Sequence, residues 1–152
     1  MRVFRLARKK YKAELNGKGA AKSDNRWNSK GTEIIYTAAN RALAMAEVAV
    51  HLSLASLPDD FQILEIDIPN SVSKTTLKKA SLPEEWNSFP HLTSTQAIGD
   101  SFIDERKSCI LKVPSAVVPG EYNYLINPSH ADFSKISIVS QEDFPFDTRL
   151  FG

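Results

Sequence analysis

Apolar and polar positions along this chain alternate in several short stretches and run together in one. "VFRLA" at 3–7 alternates and predicts a strand, and the β-branched "EIIYTA" at 33–38 predicts a second. From Ala42 to Ala55 the pattern changes: apart from Glu47, His51 and Ser53 every side chain is apolar. Asn40 stands where a cap is needed, so the expectation is a helix from about 41 to 56, stopping before Pro58. "FQILEIDIP" alternates again and is closed by Pro69, a third strand. Residues 70–92 read as irregular, with a short turn at "PEEW". Thr93 and Gln96 form a capping-box pattern ahead of Ile98 and Phe102, which predicts a helix to about Arg106. "SCILKV" (108–113), "EYNYLI" (121–126) and "KISIVS" (135–140) then predict three more strands. The order β-β-α-β-α-β-β-β does not alternate strictly. It points to an α+β fold with a mixed, bent sheet and few helices rather than a doubly wound one.

The chain of 152 residues suits one compact domain, 1–152, and its 42% apolar and 24% charged residues argue against disorder or a coiled coil. The longest apolar run is shorter than the roughly 20 residues of a membrane span and contains a charge, so no membrane association is expected. "MRVFRLARKKYK" lacks the apolar stretch of a signal peptide. A single cysteine, Cys109, excludes an internal disulfide and a cysteine zinc site, and the expected setting is reducing and cytoplasmic. Charge is uneven. Residues 1–30 hold ten Lys/Arg against Glu14 and Asp24, a balance of +8, while the remainder stands at −7. Such a segment is either a solvated basic loop or the footprint of an anionic ligand.

The candidate chemistry starts at Glu47. On a helix it shares a row with Leu43, Val50 and Leu54, and the opposite side is apolar too, so the helix is expected to be buried between layers with Glu47 inside or on the lip of a cleft. A buried carboxylate needs a partner. Two readings stand side by side: a structural ion pair, with His51 one turn on as the candidate partner, or a working carboxylate. Arg26, in the polar segment 8–32, suits a bidentate grip on phosphate or carboxylate. Trp27 beside it supports a flat ring or plugs the core, the second being the commoner use. Tyr36 closes the second strand just ahead of the Glu47 helix, and its ring either stacks on a ligand or packs in the core. Ser115, between Pro114 and Pro119, is a turn residue or points its hydroxyl into a cleft. "GKGAAK" lacks Walker spacing, no GxGxxG or Gly-x-Ser-x-Gly pattern occurs, and His51, His91 and His130 are too scattered for a metal site.

Together these stretches resemble the RES domain, the toxin half of a bacterial toxin–antitoxin pair. The resemblance runs through "VFRLA", "GKGA…RWNSKG", "IIYTAANRALAMAEVAVHL", "QAIGDSFIDE", "ILKVPSAVVPGEYNYLINPSHADF" and the terminal "FPFDTRLF". It places the family's arginine at Arg26, its tyrosine at Tyr36, its glutamate at Glu47 and its serine at Ser115. Asp24 and Asn25 depart from the pattern, standing where the family tends to have a glycine pair. The resemblance implies an ADP-ribosyltransferase-like fold that consumes NAD⁺ as a substrate, with no further cofactor and no metal. It implies cleavage of the nicotinamide–ribose bond, with water or phosphate as acceptor, or transfer of ADP-ribose to a protein. Arg26, Tyr36, Glu47 and Ser115 are then the expected catalytic residues, and Arg26, Trp27, Tyr36 and Asn127 the expected substrate contacts. The implied partner is an Xre-type helix-turn-helix antitoxin that blocks the site, and no direct nucleic-acid binding by this chain is expected. A binding module without chemistry is the alternative from another class, motivated by the basic segment.

Overall fold

The fold comes from a computed structural model that describes residues 1–9 and 14–151. Its strands are β1 (Arg2–Arg8), β2 (Ile35–Ala38), β3 (Phe61–Asp67), β4 (Lys74–Thr76), β5 (Ile110–Pro114), β6 (Tyr122–Ile126) and β7 (Ser137–Asp143), and its helices are α1 (Arg41–Ala49) and α2 (Thr93–Glu105). The strands form one seven-stranded sheet in the order β4-β5-β6-β2-β1-β3-β7. Only the β4–β5 pair is parallel, so the sheet is mixed and the class is α+β.

Strand alternation builds the core on both faces of this sheet. β3 sends Leu64 and Ile66 into a cluster with Val3, Ile110 and Ile126, and its other residues Phe61 and Ile63 into a cluster with Phe4, Leu6 and Leu43 beneath α1. A third cluster, with Trp27, Trp86, Phe102 and Leu125, lies beneath α2. β1 runs beside β3 along its whole length, from Arg2–Asp67 to Arg8–Phe61, yet it meets β2 at a single register pair, Phe4–Ala38. The sheet therefore opens between β1 and β2, and that opening positions the site.

Several expectations change. β4 falls inside the stretch read as irregular; its three residues are all exposed and polar, so hydrophobic periodicity has nothing to register. Asn40 does cap α1, its side-chain oxygen accepting from the Leu43 N–H at 2.8 Å, but α1 ends at Ala49 rather than 56. Its last turn tightens, with His51 and Leu52 donating to the carbonyls of Val48 and Ala49. Nor is α1 buried between layers: Leu43 and Ala44 alone are buried, while Val50 and Leu54 are exposed. Thr93 is the first helical residue of α2 and not its cap; Leu92 holds that position without a side-chain bond. No helix among the described residues is long and apolar enough to cross a membrane.

Candidate active site

A cleft of about 720 Å³ occupies the opening between β1 and β2. It is lined by Phe4, Arg5 and Leu6 of β1, by Tyr36, Thr37 and Ala38 of β2, by Glu47 and Val48 of α1 with His51 just after it, and by Arg26, Asn87, Phe89 and His91. Leu43 anchors α1 in the core, Val50 stands in solvent, and Glu47 lies between them at the cleft's lip. The row read from the sequence thus runs from core to mouth.

Glu47 takes its hydrogen bond from Ser115, whose Oγ donates to Oε1 at 2.7 Å. The same Oγ accepts from the backbone N–H groups of Val117 and Val118, at 3.1 and 3.0 Å. Those two bonds fix the hydroxyl's acceptor side, so its one proton is directed at the carboxylate. His51 lines the same cleft but forms no ion pair with Glu47.

Arg26 sits in the loop between β1 and β2, held by a chain of contacts that starts in α2. Gly99 of α2 approaches so closely that a Cβ there would lie 1.5 Å from the Trp27 carbonyl oxygen. Asp100 accepts from the Ser29 N–H at 3.0 Å and from its hydroxyl at 2.6 Å. Buried Asn28 accepts from the Tyr36 hydroxyl at 2.6 Å, and that hydroxyl accepts from the Trp27 N–H at 3.1 Å. Tyr36 therefore lines the cleft with its ring while its hydroxyl is spent on the loop. Burial above all pushes that hydroxyl's pKa far up, which keeps it a donor. Arg26 itself donates through Nη1 to the carbonyls of Trp86 (2.9 Å) and Ser88 (3.0 Å). Burial lowers its pKa, and the nearby Glu47 carboxylate acts the other way.

Two expected substrate contacts are not brought to the cleft. Trp27 is 3% exposed and packs on Trp86, with ring centroids 6.2 Å apart, so the core plug is the use observed. Asn127 is fully buried. Its Nδ2 donates to the Ile103 carbonyl at 3.1 Å, satisfying an end of α2, and its Oδ1 accepts from the Ser129 N–H. Asp24 and Asn25, the departures from the family pattern, are absorbed locally. Asp24 accepts from the Lys30 N–H at 2.8 Å, Asn25 donates to the Ala20 carbonyl, and neither has a positive φ.

The basic segment divides in the same way. Arg2 pairs with Glu65 and Asp67, Arg8 with Asp60, and Lys9 with Asp143, so three of its ten cations are balanced by β3, β7 and the turn before β3. Lys10 and Lys12 lie outside the described residues. Arg5 is different and was not singled out from sequence. Its Nη1 donates to the Tyr36 carbonyl at 2.9 Å, across the gap between β1 and β2, and no carboxylate among the described residues pairs with it. Burial lowers its pKa. Its signal was faint: a charge at an inward-alternating position of "VFRLA". His91 was likewise missed. Its Nδ1 is buried without a hydrogen-bond partner among the described residues, and burial, then Arg26 and His51, lower its pKa.

The RES domain family pattern matches residues 2–147. "Toxin Res" of Photorhabdus laumondii is 39% identical over 152 residues, covering 99% of this chain and 97% of that protein. "Toxin Res" of Pseudomonas putida is 39% identical over 145 residues, 91% of this chain and 94% of that one. The "Prs ADP-ribosylating toxin" of a Sphingobium species is 35% identical over 143 residues, 92% and 89% respectively. Among solved structures, a chain of the M. tuberculosis MbcT–MbcA toxin–antitoxin complex shares the fold, with a TM-score of 0.74 over 95% of this chain and 84% of that one at 19% identity. A match over nearly the whole sequence, at this identity to several relatives, makes this chain a member of the RES domain family.

Proposed function

We propose that this chain is the toxin of a toxin–antitoxin pair and that it cleaves the nicotinamide–ribose bond of NAD⁺ in the cytoplasm. The observation that carries this reading is the charge layout of one cleft: Glu47, oriented by Ser115, shares it with Arg5 and Arg26, two guanidiniums without a carboxylate ion pair among the described residues. Two such cations suit a diphosphate, and the carboxylate suits a developing positive charge. Nicotinamide in NAD⁺ is already cationic, so it leaves without a general acid. The C–N bond breaks with its electron pair going to the nicotinamide nitrogen, and the ribose becomes oxocarbenium-like. Glu47 opposes that charge, and the Tyr36 ring flanks the nicotinamide. Water or phosphate then forms the new C–O bond and gives its proton to solvent.

A second reading, transfer of ADP-ribose to a protein, is favoured by the "ADP-ribosylating" name of the Sphingobium relative. Incubation with NAD⁺, with and without phosphate and lysate, separates the two: free nicotinamide without protein label supports cleavage, and label that tracks release supports transfer. Glu47→Gln is expected to abolish nicotinamide release and toxicity in a protein that still unfolds in one cooperative transition, at a slightly lower temperature because the Ser115 bond to a charged acceptor is lost. Wild-type protein that leaves NAD⁺ untouched at high concentration would return the chain to a binding module without chemistry. An Xre-type antitoxin is the partner this reading expects. Exposed Val50 at the cleft and exposed Leu54 outside its lining supply apolar rim for it, and Leu54→Glu should weaken that complex without changing NAD⁺ cleavage.

A further inference from the structure

Phe89 is the most exposed of the large hydrophobic side chains among the described residues, at 76%, and it is one of the residues that line the cleft. It does not hang on a loose loop. Arg26 holds the carbonyls of Trp86 and Ser88, on the residues just before it, and Trp86 is itself buried against Trp27. The Ser88 N–H donates to the Glu85 carbonyl at 3.0 Å. The His91 ring meets the Phe89 ring edge-on, with centroids 5.4 Å apart and planes at 89°, which sets the ring's tilt. A large apolar face kept in water by this many restraints is arranged for a ligand that arrives. Beside the Arg26 guanidinium and the His91 ring that adjoin it, the cleft also carries short uncharged polar side chains, Ser23, Asn25 and Asn87.

We propose that Phe89 is the stacking platform for the purine ring of the dinucleotide, and that Asn87 supplies a hydrogen bond at the ring's edge. This rests on the reading of the cleft as an NAD⁺ site and adds to it the end remote from Glu47. In NAD⁺ the adenosine lies beyond the diphosphate from the nicotinamide. In the cleft Phe89 follows directly on Ser88, whose carbonyl accepts from the Arg26 guanidinium. A phosphate held by Arg26 therefore has its adenosine side within reach of Phe89, and its nicotinamide side toward Tyr36 and Glu47. Every base has a π-face and an aromatic ring accepts it without charge, so stacking fits this residue better than pairing with any ion.

The test compares wild type, Phe89→Ala and Phe89→Trp by calorimetric binding of ADP and by nicotinamide release from NAD⁺ and from nicotinamide mononucleotide, which lacks the adenylate. The expected result is that Phe89→Ala weakens ADP binding about tenfold, the middle of the range for loss of one base–aromatic stack. It should raise KM for NAD⁺ by a similar factor at unchanged kcat, leave the mononucleotide kinetics unaltered, and be rescued by Phe89→Trp. Exposure of the side chain keeps the fold out of the comparison. ADP binding by Phe89→Ala equal to wild type, or an equal loss on NAD⁺ and the mononucleotide, overturns the platform. Absence of nicotinamide release by wild type overturns NAD⁺ cleavage instead, and the ADP titration then still judges Phe89 on its own.

Discussion

Replacing Ser115 by alanine deletes one hydroxyl that makes three hydrogen bonds. It leaves the Glu47 carboxylate without its 2.7 Å donor and frees the N–H groups of Val117 and Val118. A bond to a charged acceptor contributes about 1.5–3 kcal/mol net, and a neutral one about 1 kcal/mol. Glu47 lies at the lip of the cleft and the two valines are only partly buried, so water replaces part of what is lost. The expected cost is therefore about 2 kcal/mol, or a fall in Tm of about 4–8 °C for a chain of this size. The effect on catalysis should be larger in kcat than in KM, because Ser115 holds the carboxylate and is itself only 5% exposed. A loss of about ten- to a hundredfold in nicotinamide release is expected. The assay is a double-mutant cycle read by thermal or urea unfolding: wild type, Ser115→Ala, Glu47→Gln and the double variant. If the hydroxyl acts through the carboxylate, the two losses are coupled by about 1 kcal/mol or more. Additivity within about 0.5 kcal/mol would refute the assignment of Ser115 as the group that positions Glu47.

Gly99→Ala should be strongly destabilising, by about 3 kcal/mol or more, since the new Cβ meets backbone of Trp27 at 1.5 Å and α2 or the Arg26 loop must move; a lower urea midpoint is the readout. Tyr36→Phe keeps the ring in the cleft but removes the link to Asn28 and Trp27, so it should lower stability by about 1–3 kcal/mol and reduce nicotinamide release through the displaced Arg26 loop. An unchanged Tm would show that the hydroxyl does not hold that loop. Asp132 accepts from the Ser73 N–H and hydroxyl and pairs with Lys135, which holds its carboxyl at about 2, below the ordinary 3.8. Because the folded value is depressed, its contribution is present above 3.8 and is lost as pH falls through about 2. Melts taken across that interval should show a smaller loss of stability in Asp132→Asn than in wild type.

Local chemistry in the sequence was enough for the strands that alternate, for the Asn40 cap and for the class of the fold. Each depends on contacts within a few residues or on a period that one buried face imposes. β4 stayed hidden because all three of its residues are exposed and it exists only through its pairing with β5. The end of α1 and the cap of α2 slipped for the same reason: which residue closes a helix depends on how its last carbonyls or first amides are satisfied. Among the candidate site residues, Arg26, Tyr36, Glu47 and Ser115 were nameable from residue type and order, but what each one touches was not. That Ser115 meets Glu47 across 68 positions of chain, that Tyr36 spends its hydroxyl on the loop, and that Trp27 and Asn127 turn inward are set by packing between distant elements. Arg5 shows the limit most clearly. As a residue it is one of ten basic side chains in the first thirty. It becomes a cleft cation only because β1 parts from β2 beyond Phe4–Ala38 while its basic neighbours Arg2, Arg8 and Lys9 find carboxylates on other elements. Charge is written in the sequence; whether it is neutralised depends on the tertiary fold, because the partners come from elsewhere in the chain.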